Sequence, residues 1–342
     1  MGSVKEVEIL KKAGQDYEGE GVFTFSDRYS VFDWGEMPDH IEKKGAALCM
    51  LSSYFFELLE KEGIKTHFKG IEEDGTLKKF SGMNGASNKM RVGVVRVIKP
   101  VYDSANNTYD YSEYKKKQLN YLIPLEVIYR NALTEGSSVF KRVKNGQVTF
   151  KDLGYDHTPQ PGEILKTPIL DVSTKLEHTD RYILWPEASS ISGLDERSME
   201  TLKNMVLSVD MIITAACSRA NIKNIDGKFE FGMDAAGNIM VVDVLGTPDE
   251  CRFMSGNFHI SKEFARMWYR KTPWYDEIET AKKSGGREWK QSVKNQPPKL
   301  PPELKQLLSQ MYMSVTNEIT GKNVFDSPPL KNVIQELEKY DR

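Results

Sequence analysis

The segment from Asp226 to Asp243 constrains this chain more than any other. It reads Asp-Gly-Lys-Phe-Glu-Phe-Gly-Met-Asp-Ala-Ala-Gly-Asn-Ile-Met-Val-Val-Asp, two apolar runs around a small polar centre, which predicts strand, tight turn, strand. With Ala236-Gly237 at the middle, a symmetric hairpin sets Glu230 opposite Asp243 on one face. Like charges opposed across strands destabilise a sheet. A hard divalent cation between the two carboxylates makes the arrangement favourable, and Mg2+ is the natural one when phosphates complete its shell. Lys228 is two residues from Glu230, so it shares that face and can reach a phosphate. A surface hairpin with solvated charges and a slipped register is the competing reading.

Other elements are predicted by periodicity. Gly21 to Ser26 reads as a short aromatic strand, Arg91 to Ile98 as a β-branched strand and Leu122 to Arg130 as a third. Leu48, Leu51, Phe55, Leu58 and Leu59 recur at helical spacing, which predicts a helix over Gly45–Glu62. A second amphipathic helix is expected from Asp195 to Ala220. Tyr102 to Gln118 is polar and reads as an inserted, solvated excursion. Ser284-Gly285-Gly286 and the prolines between Pro297 and Pro302 mark a break, with helical pattern resuming at Glu303 and interrupted at Pro328-Pro329. Strands early and helices late, with little strict alternation, predict an α+β class rather than a doubly wound sheet. The expected division is 1–122, 123–283 and a mostly helical extension at 284–342 that packs on the middle part.

Charge narrows the function. Lys plus Arg is 47 and Asp plus Glu is 49, a net of 47 − 49 = −2, which argues against a chain built to coat nucleic acid. No apolar run reaches the ~18 residues a bilayer span needs. The start, Met1 to Leu10, is broken by the charges of Lys5, Glu6 and Glu8 and so lacks a secretory apolar region, and Glu6 stands where myristoylation needs Ser or Thr. Cys49, Cys217 and Cys251 are too few and too far apart for a disulfide framework or a zinc site. A cytoplasmic enzyme without membrane or nucleic-acid partner is the expectation; the oligomeric state, a homo-oligomer included, is left open.

Three further clusters carry chemistry. Arg130, Gly136, Ser137, Ser138 and Arg142 suit a phosphate or carboxylate site, or else a strand exit with solvated arginines. Lys175, Glu177, His178 and Asp180 crowd one short stretch whose histidine fits no zinc spacing. Arg252 follows Pro248-Asp249 and either clamps an acidic substrate or sits in a surface turn.

In this order the segments resemble the SAICAR synthetase (phosphoribosylaminoimidazole-succinocarboxamide synthase) family. The resemblance is carried by Asp226-Gly227-Lys228-Phe229-Glu230-Phe231-Gly232, by Asp243 and by Pro248-Asp249 with Arg252. It extends to Pro124-Leu125-Glu126, Arg130, Gly136-Ser137 and Lys141-Arg142, to Ser26–Asp33 and to Ser173–His178. It covers about Gly2 to Phe253. Val244 departs from it, standing where many members have Glu.

The resemblance implies a small antiparallel β domain, like the small lobe of protein kinases, beside a larger α/β domain, with ATP in the cleft between. It implies an ATP-dependent ligase that joins the carboxylate of carboxyaminoimidazole ribonucleotide to the amine of L-aspartate, giving SAICAR, ADP and phosphate. On this reading Lys228, Glu230 and Asp243 are catalytic, and Glu230, Asp243 and Asp226 hold Mg2+. Arg130, Ser137, Lys175, Asp180 and Arg252 bind substrate, and Lys5, Glu126 and Lys228 bind the nucleotide. Two alternatives are a related ligase for another heterocyclic acid and a kinase-type phosphotransferase. Against the latter, Gly-x-Gly-x-x-Gly and His-Arg-Asp motifs are absent. A nucleotide-binding module without catalysis is a third.

Overall fold

A computed structural model describes residues 5–284 and 286–341. Residues 1–4, just before the nucleotide-binding candidate Lys5, lie outside the described residues. The chain first lays down an antiparallel sheet: β1 (Lys5–Lys11), β2 (Gly19–Phe25), β3 (Phe68–Glu73), β4 (Thr76–Lys78) and β5 (Lys89–Val94), in the order β1-β2-β5-β3-β4. Helix α1 (Lys44–Lys61) crosses it, burying Leu48, Leu51, Phe55 and Leu59. The start of α1 is capped from outside the helix. Asp27 accepts from the Lys43 and Gly45 backbone N–H groups at 3.1 and 2.9 Å, which satisfies donors that have no helical partner.

A small ribbon of β6 (Val101–Asp103) and β7 (Thr108–Asp110) precedes the second sheet. That sheet is built from β8 (Tyr121–Ala132), β9 (Ile164–Thr174), β10 (Tyr182–Ile183), β11 (Lys223–Met233), β12 (Ile239–Val242), β13 (Cys251–Ser255) and β14 (Phe258–His259). Its order is β10-β9-β8-β11-β13-β14, with β12 paired to β11, and its ladders are antiparallel. Helix α2 (Ser138–Lys144) follows β8, and α3 (Trp185–Ser192) packs on β8 and β9. Helix α4 (Glu196–Arg219) starts where its period predicts, with Asp195 accepting from the Ser198 N–H at 2.8 Å. It buries Leu202, Val206, Val209 and Ile213 and packs on β8 and β11.

Strands alternate their side chains, so β11 separates two environments. Phe229 faces the helices and stacks on Tyr129 of β8 at 4.9 Å between centroids, while Asp226, Lys228 and Glu230 face away from them. Gly227 is required there. A Cβ at that position would stand 2.5 Å from the Tyr129 hydroxyl and 2.8 Å from Cys251 Sγ.

Helices α5 (Lys262–Arg270) and α6 (Pro273–Ser284) lead to α7 (Pro302–Thr320) and α8 (Leu330–Asp341). The extension, expected on the middle part of the chain, packs through α7 on both α1 and α4. Ser309 Oγ donates to the Glu42 carbonyl at 2.5 Å and Lys322 Nζ to the Met83 carbonyl at 2.6 Å. One continuous apolar cluster runs through both sheets and these helices, including Phe25, Phe55, Phe229 and Leu308. The Tyr102–Gln118 stretch is less solvated than its composition predicts, since Tyr111 and Tyr114 are buried. Tyr114 packs edge-on against Tyr121 at 5.6 Å.

Lys44 and Asp249 form an ion pair at 2.7 Å with side chains only 0% and 1% exposed. Asp249 also accepts from Tyr312 on α7 at 2.6 Å, so one carboxylate joins α1, the turn after β12 and α7. Removing one partner strands a buried charge. Lys44→Met is expected to destabilise the protein by about 3–5 kcal/mol, read from the denaturant midpoint. Adding Asp249→Leu should recover part of the loss.

Candidate active site

The register of three strands assembles the site. Glu230 pairs with Glu126 across β11 and β8, Lys228 with Ile128 and Asp226 with Arg130. On the other side of β8, Glu126 pairs with Ser173 and Ile128 with Asp171. Glu126, Ile128 and Arg130 therefore share one face with Asp226, Lys228 and Glu230. All six line a cavity of about 560 Å³.

The opposed like charges are thus Glu126 and Glu230. An ammonium resolves the repulsion. Lys175, just past the end of β9, donates to Glu126 Oε1 at 2.8 Å and to Glu230 Oε1 at 2.6 Å. Lys228 donates to the same Glu126 oxygen at 2.8 Å and lies 3.4 Å from Glu250. Glu126, expected at the nucleotide, is committed in this structure to orienting two lysines.

Glu230 does not pair with Asp243 as the symmetric hairpin required. The turn closes one residue earlier, so Glu230 pairs with Val242 and Phe231 with Val241. The loop Ala235-Ala236-Gly237 ends on Gly237 with φ +83°, the left-handed residue that three-residue hairpin loops need. A continuing strand would turn Asp243 to the other face. Instead β12 ends at Val242 and Asp243 itself is left-handed, φ +68°, and its side chain lines the same cavity as Glu230. Strain in a non-glycine residue persists only where neighbours hold it. Here His67 Nε2 donates to the Asp243 carbonyl at 3.1 Å and Lys5 of β1 donates to Oδ1 at 2.5 Å. Burial lowers His67 to about 4, so the ring is neutral.

The far end is a guanidinium cluster. Arg130 lies 3.2 Å from Asp171 and 3.7 Å from Asp226, Arg142 meets Asp171, and Arg252 holds Asp226 at 2.5 Å. Asp226, expected beside the metal, sits at this end of the site in the structure. It is four residues from Glu230, about 13 Å along a strand, and engaged with two arginines. Ser137 is the N-cap of α2, its Oγ accepting from the Val139 N–H at 3.3 Å. The serine hydroxyl beside Arg130, at 3.3 Å, is that of Ser138. Asp180 lines the cavity wall near Glu126 and the two lysines. Asp33, Lys262 and Arg266 also reach the cavity.

Sequence reasoning missed Asp171 and the α5 residues. Asp171 was findable, being two steps of two before Lys175. Lys262 and Arg266 arrive from a segment with no recognised pattern.

Charge on the row is set by burial and neighbours. Burial, then Asp243, pushes Glu230 up to about 7. Burial also raises Asp243, but Lys5 and Lys175 outweigh it and hold that carboxyl below the usual range. Glu126 is likewise kept low against burial by Lys228 and Lys175. Burial and Glu126 push Asp180 up to about 6. Carboxylates resist the burial of Lys175 and Lys228, and both stay protonated. Among the described residues no three His, Cys, Asp or Glu groups are arranged to hold a metal ion. Two carboxylates facing one cavity, one of them reluctant to ionise alone, nevertheless fit Mg2+, which takes one or two carboxylates and fills its shell with phosphates and water.

Comparison with known proteins matches this arrangement to one family. The SAICAR synthetase family model covers residues 11–281. The chain belongs to the SAICAR synthetase family. Members of that family carry an ATP-dependent ligase step of purine biosynthesis. A protein of Archaeoglobus fulgidus, provisionally named phosphoribosylaminoimidazole-succinocarboxamide synthase, is 47% identical over 339 residues, covering 99% of each chain. Among solved structures, the Saccharomyces cerevisiae SAICAR synthase complexed with SAICAR superposes with a TM-score of 0.63 at 23% identity, over 94% of each chain. A type-2 SAICAR synthetase in complex with ADP gives 0.59 at 22%, over 94% of this chain and 97% of the other. The SAICAR synthetase fold, an α+β arrangement of antiparallel sheets and helices, is the one described above. Among the described residues no helix is long and apolar enough to cross a membrane.

The bridging ammonium makes a measurable claim. Removing it should cost the Glu230 carboxylate its nearest cation. In 13C NMR of the metal-free protein, Glu230 is expected to titrate near 7, and Lys175→Met should move that titration to higher pH. A titration that stays in place contradicts the bridge.

Proposed function

We propose that this chain joins the carboxylate of carboxyaminoimidazole ribonucleotide to the amine of L-aspartate at the expense of ATP, using the cavity face of β8, β9 and β11. The observation that carries the reading is the division of that face. Arg130, Arg252 and the Ser138 hydroxyl gather at one end, and Lys175, Lys228, Glu230 and Asp243 at the other. A ribonucleotide has the same polarity, a phosphate at one end and the reacting carboxylate on its base at the other. The family and the ADP complex of a structural relative support ATP as the second substrate.

A carboxylate is a poor electrophile because its charge is delocalised over both oxygens. Transfer of the γ-phosphoryl group to one of those oxygens forms an acyl phosphate and releases ADP. The amine of L-aspartate then attacks the carbonyl carbon. Phosphate departs with the former carboxylate oxygen, and the amine proton passes to base or solvent. Phosphoryl transfer of this kind is accelerated by positioning and by charges fixed before reaction. Lys228 and Lys175 are held protonated at that end by Glu126, so their ammonium groups offset charge on the transferring group. Arg130, Ser138 and Arg252 hold the ribonucleotide phosphate by charge-assisted hydrogen bonds. Ser137 orders the α2 start from which Ser138 projects. Asp180 stands at the wall for the incoming amine. Glu230 and Asp243 would hold Mg2+, which when bound neutralises charge on the ATP phosphates. Lys5, now on Asp243, is then free to turn toward a phosphate.

Purified protein given ATP, Mg2+ and the ribonucleotide should release ADP in net amounts only when L-aspartate is added. Release without it favours a phosphotransferase. Glu230→Gln should lower kcat by roughly 10²–10³-fold, while ribonucleotide binding measured by calorimetry changes little. Near-normal turnover in that variant contradicts the assignment.

A further inference from the structure

Three tyrosines of the ribbon region touch the loop that carries Lys175 and Asp180. β9 and β10 form a hairpin closed at its base. The Thr174 N–H donates to the Arg181 carbonyl at 3.0 Å, and the Arg181 N–H donates to Thr174 Oγ1 at 3.1 Å. Beyond that base, Lys175 to Thr179 follow bends rather than a ladder. The tip is held from outside. The Tyr109 hydroxyl accepts from the His178 backbone N–H at 2.9 Å and also meets His178 Nδ1. The ring of Tyr102 packs edge-on against the same imidazole, centroids 5.6 Å apart. Tyr111 donates to Glu177 Oε1 at 3.0 Å, and the same carboxylate takes the Arg181 guanidinium at 3.1 and 3.2 Å.

The two clamped residues sit midway between the two that face the cavity. Lys175 is two positions before Glu177, and Asp180 is two after His178. A bend without ladder bonds has many conformations, and each bond from the ribbon removes some of them before substrate arrives. The ribbon region is itself anchored: Tyr111 and Tyr114 are buried, and the turn containing Tyr114 packs on α3. Tyr111 therefore holds Glu177 from a packed segment, and Tyr109 rests partly buried against the core beside it.

We infer that the β6–β7 ribbon and the tyrosine after it form a positioning device for catalysis, holding Glu177 and His178 so that Lys175 sits on Glu126 and Glu230 and Asp180 faces the cavity. Tyr102, Tyr109 and Tyr111 act through the loop, not on substrate. The inference rests on the ligase reading above. It also gives the polar 102–118 segment, whose composition reads as an inserted excursion, a role in this chain.

The test is the double variant Tyr109→Phe/Tyr111→Phe, which keeps both rings and removes both hydroxyls, with His178→Ala as a second variant outside the core. Hydrogen exchange at the amides of 175–181 should accelerate while the central strands keep their protection. The kcat for aspartate-dependent ADP release should fall about tenfold, because misplacement of a charged group by a fraction of a bond length weakens what it stabilises. ADP affinity by calorimetry should not change. Faster exchange with unaltered kcat overturns the inference and leaves the ribbon a passive cover. Unaltered exchange overturns it as well, since the hydroxyls then hold nothing. A wild-type protein without aspartate-dependent ADP release brings down the ligase reading and this inference together; an active wild type matched by both variants brings down the inference alone.

Discussion

A single ammonium between two carboxylates organises this site. Antiparallel register brings Glu126 and Glu230 face to face, an arrangement that costs energy in any sheet unless a cation intervenes. Lys175 supplies it at 2.8 and 2.6 Å. The lysine can do so because β9 ends one residue before it, leaving its side chain free to fold back over β8. A second lysine on the same Glu126 oxygen makes the row one of alternating charge. Buried charges need such complete partnering. The row is nearly neutral and rigid, yet its members face a cavity where incoming phosphates can exchange for their present partners.

The other half of the site depends on a backbone irregularity. Asp243 would face away if β12 continued through it, and its left-handed conformation brings it round to the cavity that Glu230 lines. The cost is met by contacts from the first sheet: the neutral His67 ring on the Asp243 carbonyl and Lys5 on its carboxylate. The two sheets are thereby joined at the functional end. Lys65 and His67 also exchange backbone hydrogen bonds with Val241, so a shift between the sheets moves Asp243.

Much of this was legible in the sequence where period and chemistry agree. α1 and α4 begin and end within a residue of their expected bounds, because their apolar spacing and flanking residues point the same way. The hairpin was found as an element, but its register was misjudged by one residue, since the left-handed Gly237 closes a three-residue loop that the residue pattern alone did not count. The pairing of Glu126 with Glu230 joins strands from distant parts of the chain, and no local pattern reports it. Asp226 fits a metal-ligand pattern on paper; only the sheet reveals two arginines competing for it. β1 was missed although Glu6-Val7-Glu8-Ile9 alternates, because the run is short and rich in charge, and even its apolar Val7, Ile9 and Leu10 stay exposed at the sheet edge.

Everything in the site serves one proposed event, transfer of a phosphoryl group to a substrate carboxylate so that an amine can displace it. The most direct measurement follows the oxygen. With carboxyaminoimidazole ribonucleotide labelled with 18O in its carboxylate, each turnover in unlabelled water is predicted to place one labelled oxygen in the inorganic phosphate released. Phosphate free of label, with the amide product still formed, would contradict the account.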